Sequence, residues 1–276
     1  MRKFVFSPRR VIVGMLLFVL LLIVLYPFIW MLITSFKYEQ DIVAYPPQLL
    51  AERYTLEAYR SIWSRIPFLT YYRNTLIFAG GVTLLSLLFD TMAGYAFARL
   101  RFKGRDTIFL IVLVTLMIPF QVVMIPLFAQ LFHMGLINTL AGLLLPRATN
   151  AFGIFMMRQF FVSLPKSLEE AARIDGCNEF IVYWKIMLPL CKPAIVSLGI
   201  FHFMFNWNDL LYPLILTTGD SLRTLPAGLA LFMGAHVLEY AVLMAGGVLS
   251  LLPILLAYIF AQKYFIKGIA MTGLKG

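Results

Sequence analysis

Residues 167–190 read "SLEEAARIDGCNEFIVYWKIMLPL", a capped, acid-bearing run between two apolar stretches. Ser167 with Glu170 three residues on has the spacing of a capping box. Glu169 and Glu170 suit the positive end of a helix dipole, and Glu169 precedes Arg173 at i,i+4 in the favoured order. Gly176 fits a left-handed C-terminal stop. Asn178 is placed to cap a second helix over 179–188, which Pro189 would end. Leu168, Ala171, Ala172 and Asp175 fall on one helical stripe, so the first helix is expected to show a low, smooth face that a partner can approach closely. Phe180, Tyr183 and Trp184 are expected to hold the second helix against the rest of the chain.

The surrounding sequence fixes the class. Of 276 residues 61% are hydrophobic and 13% charged, against roughly 45–50% apolar in soluble domains. That is an all-α integral membrane protein. Hydropathy marks six transmembrane helices, at about Val11–Ile33, Thr75–Ala98, Thr107–Phe132, Thr139–Phe161, Ala194–Leu216 and Ala241–Tyr264, each long enough for a ~30 Å hydrocarbon core. The stretch Ala227–Gly234 is too short to span. The 165–190 loop then lies between helices 4 and 5. Pro119 and Pro126 in the third span each remove a backbone hydrogen bond, so bends are expected at both.

Charge sets the orientation. With residues 1–10 in the cytoplasm, most of the 23 Lys and Arg fall on inner segments: Arg2, Lys3, Arg9 and Arg10, the group from Arg99 to Arg105, the 158–192 segment, and Lys263, Lys267 and Lys275. This is the positive-inside bias, and it puts both termini in the cytoplasm, with 265–276 as a C-terminal tail. The formal charge of +10 follows from membrane orientation and implies no nucleic acid. The Arg pair before the first apolar run resembles a signal sequence only faintly, because the run is long and no small-residue cleavage site follows. Cys177 and Cys191 both fall in the inner segment, which implies neither a structural disulfide nor a metal site. The membrane-spanning body is therefore 11–264, with a core at 75–264. An outer segment at 35–74 carries "YPPQLL" and then a short amphipathic helix, either a folded cap or a docking surface for an external partner.

Within the spans, ionisable residues should face protein or water. Arg147 and Asp209 fall at similar estimated depths and are placed to pair, while Asp90 lies deeper. Asn206, Trp207, Asn208 and Asp209 combine amides with an aromatic face, a set that suits sugar hydroxyls and C–H faces and equally suits interfacial packing. His133, His202 and His236 are scattered singly, without metal spacing, and read as packing or interface residues.

The opening stretch resembles the E-A-A loop of the membrane subunits of binding-protein-dependent ABC importers. Glu170-Ala171-Ala172, Gly176 and Ile186-Met187-Leu188-Pro189 keep every interval of that pattern. The resemblance implies that Glu170, Ala171, Ala172, Asp175 and Gly176 form a coupling helix seated in an ATPase subunit. "AGYAFARLRFKGRD" (93–106), "FGIFMMRQFFVSLPKSLEEAARIDG" (152–176), "FNWNDLLYPLIL" (205–216) and "GIAMTGLKG" (268–276) extend it to the carbohydrate-uptake branch, similar to the shorter maltose-type permease. It implies a second homologous permease as a heterodimer partner, two ATPase subunits, an extracytoplasmic solute-binding protein, and a bacterial or archaeal inner membrane. Importers of glycerol phosphate esters share this branch. The chain has no G-x-x-x-x-G-K-[ST] loop, so it is expected to be no enzyme, with ATP and Mg used by the ATPase subunits and no cofactor held here. An ion-gradient secondary transporter is the rival reading, but it would favour inverted repeats and more membrane acids.

Overall fold

The computed structural model describes residues 8–235 and 239–272. Arg2, Lys3, His236 and Lys275 lie outside the described residues, as does the end of the 268–276 stretch. Helices run in the order α1 Pro8–Thr34, α2 Glu39–Ile42, α3 Glu57–Arg65, α4 Phe68–Arg99, α5 Arg105–Thr115, α6 Phe120–His133 and α7 Leu140–Leu144. A 3-10 turn at Leu145–Arg147 leads to α8 Ala151–Ser163, α9 Ser167–Ile174 and α10 Glu179–Ile181. A π-helical segment, Val182–Met187, then joins α11 Leu188–Leu190, α12 Lys192–Trp207, α13 Leu211–Leu216, α14 Leu225–Ala235 and α15 Tyr240–Thr272.

Three helices, α1, α4 and α15, are long and apolar enough to cross a membrane alone. Three bent pairs bring the number to six when each counts as one span: α5–α6 at 99°, α7–α8 at 43°, and the α10–α11 run with α12 at 80°. By length and composition the described residues thus hold three to six candidate spans, where six were expected. In the third, the whole bend falls before Pro119, whose extended backbone caps α6, and α6 continues through Pro126, where a second bend was expected. The fifth was expected to run unbroken over 194–216. It stops at Trp207 instead, because Asn208 and Asp209 turn their side chains onto the backbone: Asn208 Nδ2 donates to the Met204 carbonyl (2.8 Å), and Asp209 Oδ1 accepts from Tyr212 N–H (3.2 Å). Such local bonds compete with the helical ladder, and Pro213 has no N–H with which to rebuild it.

The chain forms two compact units. In the unit of residues 1–66 and 231–252, α1 is apolar and exposed all round from Val11 to Leu25, as lipid-facing helices are. After it, Lys37 is buried, with Nζ 5.5 Å from the Trp30 ring and donating to the Gln48 carbonyl. Ala58 and Ile62 form the buried face of α3, and Arg65 pairs with Glu239 at 3.1 Å. The Glu39 carboxylate accepts from Tyr240 N–H (2.8 Å) and Ala241 N–H (3.1 Å), capping α15. Residues 35–66 thus include a helix that packs its apolar face and is tied to the start of α15.

In the unit of residues 67–230 and 253–276, α4 is the centre, packed on α8 and α12. Gly94 lets α8 approach: a Cβ there would stand 2.7 Å from Met157 Cβ and 2.9 Å from Arg158 N. One apolar cluster, with Tyr95, Met157, Phe161, Tyr183 and Leu198, supports the 167–190 loop. Another, with Phe78, Leu131, Leu143, Tyr212 and Leu216, supports the breaks at the opposite ends of these spans.

Candidate coupling surface and membrane site

The loop and its supports come first. The expected Ser167 cap is absent: α9 starts at Ser167 itself, with Lys166 at the cap position and no side-chain hydrogen bond. Another arrangement holds the helix start. Glu169 is buried, with its carboxylate 2.9 Å from Arg99 Nε and 3.3 Å from Arg173 Nη2. Arg99 also donates to the carbonyls of Phe161 and Leu164, so one guanidinium joins the ends of α4 and α8 to α9. Arg173 reaches on to Glu179 at 2.7 Å, and Tyr95 donates to Glu179 at 3.0 Å. Burial pushes the Glu169 carboxyl up, against the pull of the two guanidiniums. The Arg173 hydrogen bond holds Glu179 below the usual carboxylate range.

The end of α9 is as expected. Gly176 has φ +82° with open space where a Cβ would stand. Gly176 N–H donates to Arg173 C=O (3.1 Å) and Cys177 N–H to Ala172 C=O (3.0 Å), a complete Schellman stop. Asn178 Oδ1 accepts from Ile181 N–H (2.9 Å). The second helix differs from expectation. It winds into a π segment and passes Pro189, turning only at Cys191.

The stripe expected as one exposed face is divided. Ala172 is buried against the bundle, while Leu168, Glu170, Ala171, Ile174 and Asp175 are exposed, Ile174 at 86%. Inward turning of Glu169 toward Arg99 fixes this rotation of α9, carrying Ala172 in with it. Of the three aromatics expected to anchor the second helix, Tyr183 alone is buried, its hydroxyl 2.7 Å from Thr91 Oγ1; Phe180 and Trp184 stay exposed.

The membrane acids are all engaged. Asp90 is fully buried and accepts from Thr149 Oγ1 (2.7 Å) and Asn150 N–H (2.9 Å), with His202 Nε2 at 3.0 Å. His202 is therefore the polar partner of an acid, where its isolated position in sequence suggested packing alone. Gly153 makes this possible, since a Cβ there would lie 2.0 Å from Asp90 Oδ2. Arg147 pairs with Asp209 at 2.6 Å, as their depths suggested. Its guanidinium also lies 4.3 Å from the Tyr212 ring centroid, 5.1 Å from Phe120 and 5.5 Å from Phe205. Three parts of the chain meet at this one cation: Phe120 opens α6, Arg147 closes the 3-10 turn before α8, and Asp209 lies between α12 and α13.

The four residues singled out in the fifth span divide. Asn206 is buried and donates to the His202 carbonyl (2.7 Å); Trp207 is buried edge-on to Tyr72 at 5.5 Å and stacked on Phe203 at 5.6 Å. Asn208 and Asp209 line a cavity of about 1050 Å³ with Asn150, Phe152, Phe201 and Phe205. Asn150, Phe152, Phe201 and Phe205 had no sequence signal as site residues, although "TN" before an apolar run marks Asn150 as a helix cap, which it is for α8. Among the described residues no cluster of His, Cys, Asp or Glu has a metal-holding arrangement.

These features define a multi-pass helical membrane protein with internally paired charges and a separately braced loop helix. Residues 90–271 match the family of binding-protein-dependent transport system inner membrane components, and the chain belongs to that family. It is a transport component of the inner membrane. The chain is 36% identical to the arabinooligosaccharides transport system permease protein AraQ of Halalkalibacterium halodurans, over 92% of each chain. It is 34% identical to the trehalose/maltose transport system permease protein MalG of Thermococcus litoralis, over 100% of each. Among solved structures, a bacterial ABC transporter chain involved in the import of the acidic polysaccharide alginate superposes with TM-score 0.83 at 28% identity, covering 96% of this chain and 100% of that one.

Proposed function

We propose that this chain is the permease subunit forming half of the translocation pathway of an ATP-driven importer for a sugar or oligosaccharide. The observation that carries the coupling role is the braced helix α9. Its outer face of Leu168, Glu170, Ala171, Ile174 and Asp175 is exposed, while Glu169 and Ala172 hold its other face to the bundle. In this reading Glu170, Ala171 and Asp175 meet an ATPase subunit, Ala172 lets the helix sit close to the bundle, and Gly176 ends it sharply. A force applied to α9 passes through Arg99 to the ends of α4 and α8, so closure of the ATPase pair moves two spans together. Such coupling requires contacts that differ between two states.

The remaining assignments follow from that one. A second, homologous permease completes the pathway, two ATPase subunits lie on the cytoplasmic side, and a solute-binding protein docks on the outer side. Both termini, 1–10 and 265–276, are cytoplasmic; the permease domain spans 11–264, with the outer segment at 35–74 and the coupling loop at 165–190. The pathway runs along the 206–209 segment, Asn208 and Asp209 facing the cavity, with Asn206 and Trp207 fixing the helix end behind them. The sugar class is supported by the names of the relatives, which include arabinooligosaccharide and trehalose/maltose systems.

The test is ATP-dependent uptake of maltotriose and arabinotriose into proteoliposomes holding the whole complex and its binding protein, comparing wild type with Ala171→Trp. Ala171 is exposed, so the indole adds bulk to the docking face without entering the bundle. Uptake should fall to background. Wild-type uptake by Ala171→Trp, or uptake without ATPase subunits, would contradict the reading.

A further inference from the structure

The large cavity at the α12–α13 break has a consistent chemistry. Phe152, Phe201 and Phe205 present 44%, 49% and 63% of their surfaces, and the Phe152 and Phe201 rings meet edge to face at 6.3 Å. Two amides stand beside them. Asn150 uses Oδ1 to cap Phe152 N–H (2.8 Å), and Asn208 uses Nδ2 to hold the Met204 carbonyl (2.8 Å). Both side chains are exposed, so the Asn150 amide NH2 and the Asn208 carbonyl oxygen remain for a ligand: one donor group and one acceptor.

Two ionisable residues also line the cavity, and each is already paired. His202 faces Asp90 at 3.0 Å, and Asp209 faces Arg147 at 2.6 Å. Thr149 and Asn150 N–H complete the shell of Asp90, and the rings of Tyr212, Phe120 and Phe205 surround Arg147. The wall therefore offers aromatic faces and amides but no uncommitted charge. Bringing a phosphate or carboxylate into such a site costs hydration that nothing there replaces. A pyranose or furanose ring loses little: its hydroxyls meet the amides, and its C–H faces meet the rings.

From this juxtaposition we infer that the cavity lined by Asn150, Asn208, Phe152, Phe201 and Phe205 is a subsite for an uncharged saccharide, with Asp209 excluding acidic sugars and phosphate esters by neutralising Arg147. The inference rests on the sugar-importer reading and narrows it. It also makes Asp209 a specificity residue. Arg147 stands behind it and not on the cavity wall, so Asp209→Asn leaves next to the cavity an uncompensated guanidinium, whose charge and fork suit carboxylate and phosphate.

The test is equilibrium binding of labelled maltotriose, arabinotriose, trigalacturonate and glycerol 3-phosphate to the detergent-purified whole complex without binding protein. Wild type should bind a neutral trisaccharide at least about tenfold more tightly than either anion, and Asn208→Leu or Phe205→Ala should each weaken it by about tenfold. Asp209→Asn should gain trigalacturonate binding. Equal binding of neutral and acidic ligands by wild type, or no binding of any, overturns the subsite. So does a result in which Phe205→Ala loosens the permease pair while saccharide binding stays as in wild type, because the groove is then a subunit contact. Failure of the broader reading looks different: the complete energised system takes up no saccharide at all.

Discussion

The loop at 167–190 and the break at 206–211 are each held by an ion pair largely removed from solvent, but they are built over different distances. In the loop, Glu169 lies between Arg173 four residues on and Arg99 on the neighbouring helix end, and Arg173 extends the network to the half-exposed Glu179. At the break, Arg147 and Asp209 are joined across 62 residues of sequence and enclosed by three rings. A network that reaches the surface can shift as a partner moves it. A pair held among three rings joins the turn before α8 to the break after α12. The first arrangement suits transmission and the second suits definition of the pathway wall.

The sharpest way to break the comparison is Arg147→Ala. It leaves the partly buried Asp209 carboxylate without its partner. Removing one member of a fully buried pair costs about 3–5 kcal/mol, and this one should cost less but still a measurable amount. The detergent-purified complex should unfold at markedly lower temperature, and α12–α13 should lose protection in hydrogen exchange. A wild-type melting curve would mean that the pair does not hold the breaks together. Gly153→Ala should come next. Its methyl would meet the Asp90 carboxylate at 2.0 Å, forcing α4 and α8 apart at a cost of about 1–3 kcal/mol; unchanged thermal stability would show that Asp90 can give way freely.

Gly176→Ala should have the smallest effect on stability, about 1–2 kcal/mol, because φ of +82° is strained for an L-residue while the added methyl meets nothing. Its uptake should nevertheless fall more than its melting temperature suggests. A change in transport that merely tracks stability would remove the distinction between the moving region and the fixed one.

How far each region was legible follows from the same difference in distance. Gly176, Asn178 and the Glu169–Arg173 pair act within a turn or two of themselves, so spacing revealed them. Ser167 misled because Glu169 found a better partner in Arg99, a contact that no local pattern contains. The break at Asn208–Leu210 was hidden inside a continuous apolar run, since hydropathy records length and composition but not the side chains that leave the helical ladder. Asp90 stood out as an acid in a span, yet its partners come from the turn that caps α8, Thr149 and Asn150, and from α12, His202. Phe152, Phe201 and Phe205 look like every other apolar residue in the spans until the fold places amides beside them.

The most direct measurement concerns the outer face of α9. Ile174→Cys, in a Cys177→Ser/Cys191→Ser background, places a thiol at an outward side chain of that helix, 86% exposed. In inverted membrane vesicles an impermeant maleimide should label it readily in the permease pair alone, and the ATPase subunits should protect it in the whole complex. Equal labelling in both, or labelling only from the outer side, would contradict the coupling role on which the account depends.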